Sequence, residues 1–151
     1  MIEITEGDAR DIAAIMPVMQ KAFDPEYGES WTAAQCISTL SIPNTRLVMA
    51  RRNETAVGFA ISRWVLDQEE LLMIGVSPDI QGAGIGRSII GEVVRNLKKA
   101  HREILFLEVR DGNPAYFFYQ KIGFTVSGRR KNYYRGLTGA YHDAITMAYI
   151  F

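Results

Sequence analysis

The sequence predicts an α/β fold built on a mixed sheet, and three observations indicate it. Apolar or alternating segments typical of strands lie near both ends of the chain. Two segments with helical spacing interrupt these strands in the second half. A glycine-rich turn follows the apolar strand 69–77 and begins the longer helix. Because ligands of such sheets bind outside the carboxyl ends of strands, we expect a binding site where this strand meets the turn.

Length and composition fit one domain covering residues 1–151, of which 48% are hydrophobic. The 17 Lys and Arg residues balance 17 Asp and Glu residues, so the overall charge favours neither a nucleic-acid nor a membrane partner. The single cysteine, Cys36, excludes an intrachain disulfide. Together with the lack of a signal peptide or a long apolar run, this predicts a cytoplasmic location. We expect Cys36 to be a buried structural thiol.

In the first half, Asp8 is placed to cap a helix that Pro17 would kink or split, and Thr32 precedes a second helix. The predicted elements there are strand 2–5, helix 9–22, a helix after Thr32, and a hairpin of strands 46–51 and 55–66. The predicted elements of the second half are strand 69–77, helix 84–100, strand 103–110, helix 114–121, and strands 124–129 and 143–150.

The glycine-rich turn has the composition of a phosphate site. Gly82, Gly84 and Gly86 alternate at the start of a helix, where unpaired N–H groups and the helix dipole attract an anion. A P-loop is excluded because it ends in Gly-Lys-Ser or Gly-Lys-Thr, and Arg87 stands here in place of the lysine. The third glycine is at the wrong spacing for a dinucleotide fingerprint. A glycine-rich connection that binds no ligand is an alternative interpretation of this segment at this point.

A second informative segment follows the next strand. It contains Leu107-Glu108-Val109-Arg110, then Asn113, then Tyr119 separated by three residues from Gly123-Phe124. Glycine at position 123 is typical of a helix end. On these residues alone, Tyr119 is best interpreted as a core aromatic and Glu108 as a solvated strand carboxylate.

Together the two segments resemble the acyl-CoA signature of the GCN5-related N-acetyltransferase (GNAT) superfamily. Gln81-x-x-Gly84-x-Gly86 resembles its first half, and Glu108 through Phe124 its second. Residues 129–134 and 143–147 are similar to the bacterial ribosomal-protein-alanine N-acetyltransferase subgroup, which modifies the N-terminal amine of ribosomal protein S18. The resemblance covers about 60–147 and implies a GNAT-type mixed, mostly antiparallel central sheet of about seven strands flanked by about four helices.

The resemblance implies direct acetyl transfer from acetyl-CoA to a protein N-terminal amine of the ribosomal protein S18 type. It implies Glu108 as the base and Tyr119 as the acid. The implied acetyl-CoA-binding residues are Ile74, Gly75, Val76, Gln81, Gly82, Ala83, Gly84, Ile85, Gly86, Arg87, Ser88 and Asn113. No metal site is expected, because His101 and His142 lack ligand spacing.

Several alternatives stay open. Glu70 is a competing base, unless Glu69 and Glu70 only form an acidic rim for a basic peptide. A small-amine acetyltransferase and a catalytically idle acyl-CoA-binding module are alternative functions. The segment from Asn113 to Tyr119 is one residue shorter than the family pattern, and Arg135 stands where the subgroup often has proline. The basic residues of 129–135 are expected to form a solvated hairpin rather than an RNA site.

Overall fold

The structure, a computed structural model, describes residues 1–24, 27–80 and 82–150. These residues form an α/β fold with one seven-stranded sheet in the order β1-β2-β3-β4-β5-β7-β6. The strands are β1 (Ile2–Gly7), β2 (Thr45–Arg52), β3 (Thr55–Val65), β4 (Gln68–Val76), β5 (Ile104–Arg110), β6 (Thr125–Arg135) and β7 (Tyr141–Ile150). The helices are α1 (Ile12–Ala22), α2 (Ala33–Leu40), α3 (Ile85–Lys99) and α4 (Ala115–Ile122). Within the described residues β4 and β5 run parallel and the other neighbours antiparallel, which confirms the predicted fold class.

The helix predicted from residue 9 begins later than expected. Ala9–Asp11 form a 3₁₀ turn instead, because Asp8 and Asp11 cap its backbone reciprocally. Helix α1 then continues through Pro17 to Ala22. The helix face carrying Ile15 and Met19 is fully buried, and this packing offsets the backbone hydrogen bond that proline removes.

The second helix and the hairpin follow their local signals. The Thr32 hydroxyl accepts a 3.1 Å hydrogen bond from the Gln35 N–H, and the Gln35 side chain accepts a 2.7 Å bond from the Thr32 N–H. This capping box begins α2 at the predicted place. Between β2 and β3, Asn53 and Glu54 both have positive φ angles of 50° and 68°. Two left-handed residues are what a tight hairpin turn requires.

Both faces of the sheet are covered, so the core has two layers. Helix α3 packs on β1 to β4 from one face, while α1 packs on β3 and β4 from the other. Cys36 of α2 is fully buried in the α1 layer, as predicted, and burial raises the pKa of its thiol. None of the described helices combines the length and the apolar character that crossing a bilayer needs.

Strands β4 and β5 separate after a short parallel contact. They pair only over Gln68–Glu70 and Ile104–Phe106 among the described residues. In the β3–β4 register, Ser62 faces Leu71 but Ile61 faces Met73. Leu72 is therefore the extra residue of a β-bulge, which bends a strand locally. The bulge and the separation leave a wedge-shaped opening at the carboxyl ends of the two strands.

The last two strands are longer than predicted. Strand β6 begins at Thr125 rather than at Phe124 and extends to Arg135, and β7 begins at Tyr141 rather than at residue 143. The basic run in β6 lacks the alternation of a half-buried strand, so its sequence did not predict one. β6 lies at the sheet edge and is mostly exposed, where charged residues fit a strand and discourage further pairing.

The prediction of an acidic rim is wrong for Glu69, which has no exposed surface. Its Oε1 lies 3.5 Å from Nη1 of Arg102, whose guanidinium stacks 4.3 Å from the Trp64 ring centroid. Burial raises the pKa of Glu69, and Arg102 opposes that shift. The alternation of β4 explains the error, because neighbouring residues of a strand point to opposite faces.

Candidate active site

The wedge between β4 and β5 opens into a cavity of about 1000 Å³. Its walls come from β4, β5, the glycine-rich turn, α4 and the segment before α2. The predicted site residues that line it are Ile74, Gly75, Val76, Gly82, Gly84, Ile85, Gly86, Arg87, Glu108, Asn113 and Tyr119. The two halves of the sequence signature therefore meet at one cavity.

Three predicted residues are not placed there. Gln81 lies outside the described residues. Ala83 and Ser88 are described and exposed, but they are not part of the cavity wall. Ser88 instead donates its backbone N–H to the Gly84 carbonyl at 3.0 Å, which is the first turn of α3.

The glycine turn needs glycine for two different reasons. Gly82 and Gly84 have φ angles of 89° and 78°, and a Cβ built at either would meet no atom within 4 Å. Their requirement is thus conformational rather than steric, and it leaves the backbone open to an approaching group. At Gly86 a Cβ would lie 3.0 Å from Cζ of Phe118, so glycine there permits the close approach of α3 and α4.

Asn113 orients the turn that leads into α4. Its side-chain oxygen accepts a 2.9 Å hydrogen bond from the backbone N–H of Ala115. This bond satisfies one of the N–H groups that a helix start leaves unpaired. Asn113 therefore orients this turn, and it also lines the cavity.

Glu108 points into the cavity, and both of its carboxylate oxygens have partners. Its side chain is 8% exposed. The Thr146 hydroxyl donates a 2.8 Å hydrogen bond to Oε2, from the position directly opposite on β7. Nε of Arg130 lies 3.1 Å from Oε1. The interpretation of Glu108 as a solvated strand carboxylate is therefore wrong.

Glu70 lines the same cavity from β4. Burial raises the pKa of its carboxyl; the Arg63 charge opposes the shift and the Glu108 charge adds to it. The Arg63 Nη2 atom lies 3.4 Å from Glu70 Oε1. Two carboxylates thus share one site, and burial shifts Glu70 toward its protonated form.

Tyr119 lies on α4 and packs its ring against Phe124, with centroids 5.7 Å apart. It is 8% exposed, and that exposed part lines the cavity. Burial raises the pKa of the phenol above its usual value, and the nearby Glu29 charge raises it further. The Tyr119 hydroxyl therefore keeps its proton throughout the neutral range.

Glu29 and Tyr134 are among the cavity residues that the sequence interpretation did not name as site residues. Glu29 is held by Arg110, whose Nε lies 3.3 Å from its Oε1 and whose guanidinium stacks 3.5 Å from the Tyr27 ring centroid. The Tyr134 hydroxyl lies 3.4 Å from the Glu108 backbone oxygen, to which it donates. The one available signal was Arg110, a charged residue at the end of a buried strand that needed an acidic partner.

The described residues contain no group of three or more His, Cys, Asp or Glu side chains arranged to hold a metal ion.

Comparison with known proteins gives the same family from sequence and from structure. The model of the acetyltransferase (GNAT) domain matches residues 18–138. The [ribosomal protein bS18]-alanine N-acetyltransferase of Haemophilus influenzae is 42% identical over 96 residues, which are 64% of this chain and 66% of that protein. The chain thus spans about two thirds of the length of that relative.

Two further relatives match over longer stretches. The N-alpha-acetyltransferase RimI of Mycobacterium tuberculosis is 35% identical over 149 residues, covering 95% of this chain and 87% of that protein. The crystal structure of the ribosomal-protein-S18-alanine N-acetyltransferase from Escherichia coli superposes with a TM-score of 0.88 at 30% identity, covering 99% of this chain and 94% of that one. The chain belongs to the GNAT acetyltransferase family.

Proposed function

We propose that the protein is an acetyl-CoA-dependent N-acetyltransferase that transfers an acetyl group directly to a protein N-terminal amine, of the ribosomal protein S18 alanine type. The observation that carries this proposal is the single cavity at which Glu108, Tyr119 and the glycine turn meet. The relatives named for bS18-alanine acetylation support the acceptor class.

The residues present fit a bound acetyl-CoA, which would supply the acetyl group as a reactive thioester. Backbone N–H groups at Gly82, Gly84 and Gly86 would hold the pyrophosphate at the start of α3, and the open space at Gly82 and Gly84 suits a close anion. Arg87 adds a positive charge in the first turn of that helix. The predicted contacts of Gln81, Ala83 and Ser88 with acetyl-CoA belong to the same proposal.

The edge of β4 beyond Glu70 would hold the pantetheine arm. This edge diverges from β5 over Ile74–Val76, which lines the cavity. An extended arm would add there as a strand adds to a sheet edge. A backbone N–H of β4 would also stabilise the oxyanion of the transferred acetyl group.

A carboxylate such as Glu108 is a sufficient base for a terminal amine. An α-amine has a pKa of about 8, so removing its proton costs roughly one decade at pH 7. A lysine side chain with a pKa of about 10.4 costs more than three decades. The ammonium would give its proton to Glu108, and Tyr119 would give the phenol proton to the departing thiolate.

The acceptor is tested by measuring free-thiol release from acetyl-CoA with matched amines. One set contains a peptide that begins with alanine and carries the S18 N-terminal sequence, together with the same peptide already acetylated at its N-terminus. The other set contains polyamines and amino acids. Release with the free peptide alone is the expected result. Release only with small amines would make the protein a small-amine acetyltransferase, and binding of acetyl-CoA without any release would leave an idle module.

The glycine turn gives a second prediction. We expect Gly84→Ala to raise the KM for acetyl-CoA at least five-fold with little change in kcat. The reason is that an L-residue at this left-handed position costs roughly 1 kcal/mol and tilts the N–H groups of α3. Initial rates at varied acetyl-CoA measure the effect.

Gly91→Ala is the matched control for this prediction, because Gly91 is exposed in the middle of α3 and a Cβ there meets nothing within 4 Å. Its KM should equal that of the unmodified protein. If Gly84→Ala and Gly91→Ala have equal KM values for acetyl-CoA, the glycine turn is not part of the acetyl-CoA site.

A further inference from the structure

Glu108 is held by two partners that differ in mobility. Thr146 is opposite Glu108 on β7, in the interior of the sheet, and its hydroxyl reaches Oε2 at 2.8 Å. A β-branched side chain has few rotamers, so this contact is fixed. Arg130 reaches Oε1 from the edge strand β6, and 61% of its side chain is exposed to solvent.

The Arg130 contact is therefore a weak one. Most of the Arg130 side chain is exposed, so water competes for its charge, and holding the long side chain in one place costs conformational freedom. An arginine side chain is not deprotonated in proteins, so Arg130 balances the charge of Glu108 without acting as an acid or a base in the transfer. The Arg130 side chain can leave into water with its charge still solvated.

We propose that Arg130 is an exchangeable counter-ion and Thr146 the fixed support of Glu108. An incoming cationic amine displaces the Arg130 guanidinium from Oε1, while the Thr146 hydroxyl keeps Oε2 in place. One proton then moves from the ammonium to the Glu108 carboxylate, which leaves a neutral amine and a neutral carboxyl group. This inference rests on the proposed function, and both residues are positioning residues that act through Glu108.

The exchange is tested without turnover by nuclear magnetic resonance of protein labelled at the glutamate carboxyl carbon. Methylammonium chloride is titrated in, with sodium chloride as the ionic-strength control, and Glu108→Gln assigns the resonance. The measured quantity is the methylammonium concentration at which the Glu108 chemical shift has made half of its total change. In Arg130→Gln we expect this midpoint to be two- to five-fold lower than in the unmodified protein. Lys131→Gln removes a charge from the neighbouring exposed position of β6 and should behave like the unmodified protein.

The kinetic arm separates the two partners. With the acceptor that the unmodified protein acetylates, Arg130→Gln should lower the acceptor KM two- to five-fold with kcat nearly unchanged. Thr146→Val should lower kcat ten-fold or more with the acceptor KM nearly unchanged. Thr146→Ser should have a kcat close to that of the unmodified protein, because serine again supplies a hydroxyl that can donate to Glu108.

Each outcome decides one claim. If the midpoint of the methylammonium titration in Arg130→Gln is unchanged or higher, Arg130 is not an exchangeable counter-ion. If Thr146→Val has the kcat of the unmodified protein, Thr146 is not the support of Glu108. Failure of the proposed function gives a different result, because the unmodified protein then releases no thiol with any acceptor. The methylammonium titration would still show whether an amine displaces Arg130 from Glu108.

Discussion

Glu108→Gln is expected to lower kcat/KM for a free N-terminal peptide by about two to four decades. The amide keeps the size of the side chain and can still accept the Thr146 hydrogen bond, but it cannot take a proton from the acceptor. The KM for acetyl-CoA should stay within about two-fold, because the glycine turn is untouched. Steady-state rates with each substrate varied in turn give both numbers.

Glu70→Gln is the matched control, since Glu70 lines the same cavity with a carboxylate of its own. Glu70→Gln should lower kcat/KM much less than Glu108→Gln does. If the order is reversed, the base is Glu70 and Glu108 serves as a charged neighbour. Thermal unfolding of both variants checks that neither result comes from a damaged fold.

Tyr119→Phe is expected to lower kcat by about two decades, because it removes the proposed proton donor and leaves the ring in place. The ring packs against Phe124, so the variant keeps its core contacts and its neutral-pH stability should change little. Tyr116→Phe on the same helix is the control and should keep full activity. Equal activity of the two variants would mean that the thiolate takes its proton from water.

The raised pKa of Tyr119 gives the same prediction a pH dependence. Burial favours the neutral phenol, so kcat should show no fall between pH 6 and 10 that is due to Tyr119 ionising. Because the folded pKa lies above the unfolded value of about 10, Tyr119 contributes stability that is present below pH 10 and is lost as the pH rises further. In Tyr119→Phe the free energy of unfolding should therefore fall less above pH 10 than in the unmodified protein, as measured by denaturant unfolding at varied pH.

Much of the fold was predictable because its signals are local. The glycine turn, the Thr32 cap and the amphipathic spacing of α3 each lie within one segment, and each formed within about a residue of its expected place. The extension of the edge strand β6 beyond residue 129 and the 3₁₀ turn at Ala9–Asp11 were missed, because the first depends on a position in the sheet and the second on reciprocal side-chain caps.

The site divides in the same way. Glu108 and Tyr119 were named as site residues from the family resemblance, and the structure brings both to one cavity. The partners that give them their environment carry no local signal. Glu29 is 81 residues from Arg110, and Thr146 is 38 residues from Glu108, so only the folded sheet brings each pair together. A family motif within one segment can point to a reactive side chain, but it does not show what that side chain contacts.

The measurement that tests the account most directly is the position of the acetyl group on one peptide that has both an N-terminal alanine and an internal lysine. At pH 7 the two amines differ roughly 250-fold in their neutral fraction, and a weak carboxylate base does not remove that difference. The peptide would be incubated with acetyl-CoA and the protein, with Glu108→Gln as the blank, and fragmented by mass spectrometry. The account predicts acetylation of the α-amine at least 100-fold above the lysine, and acetylation mainly of the lysine, or of neither amine, would contradict it.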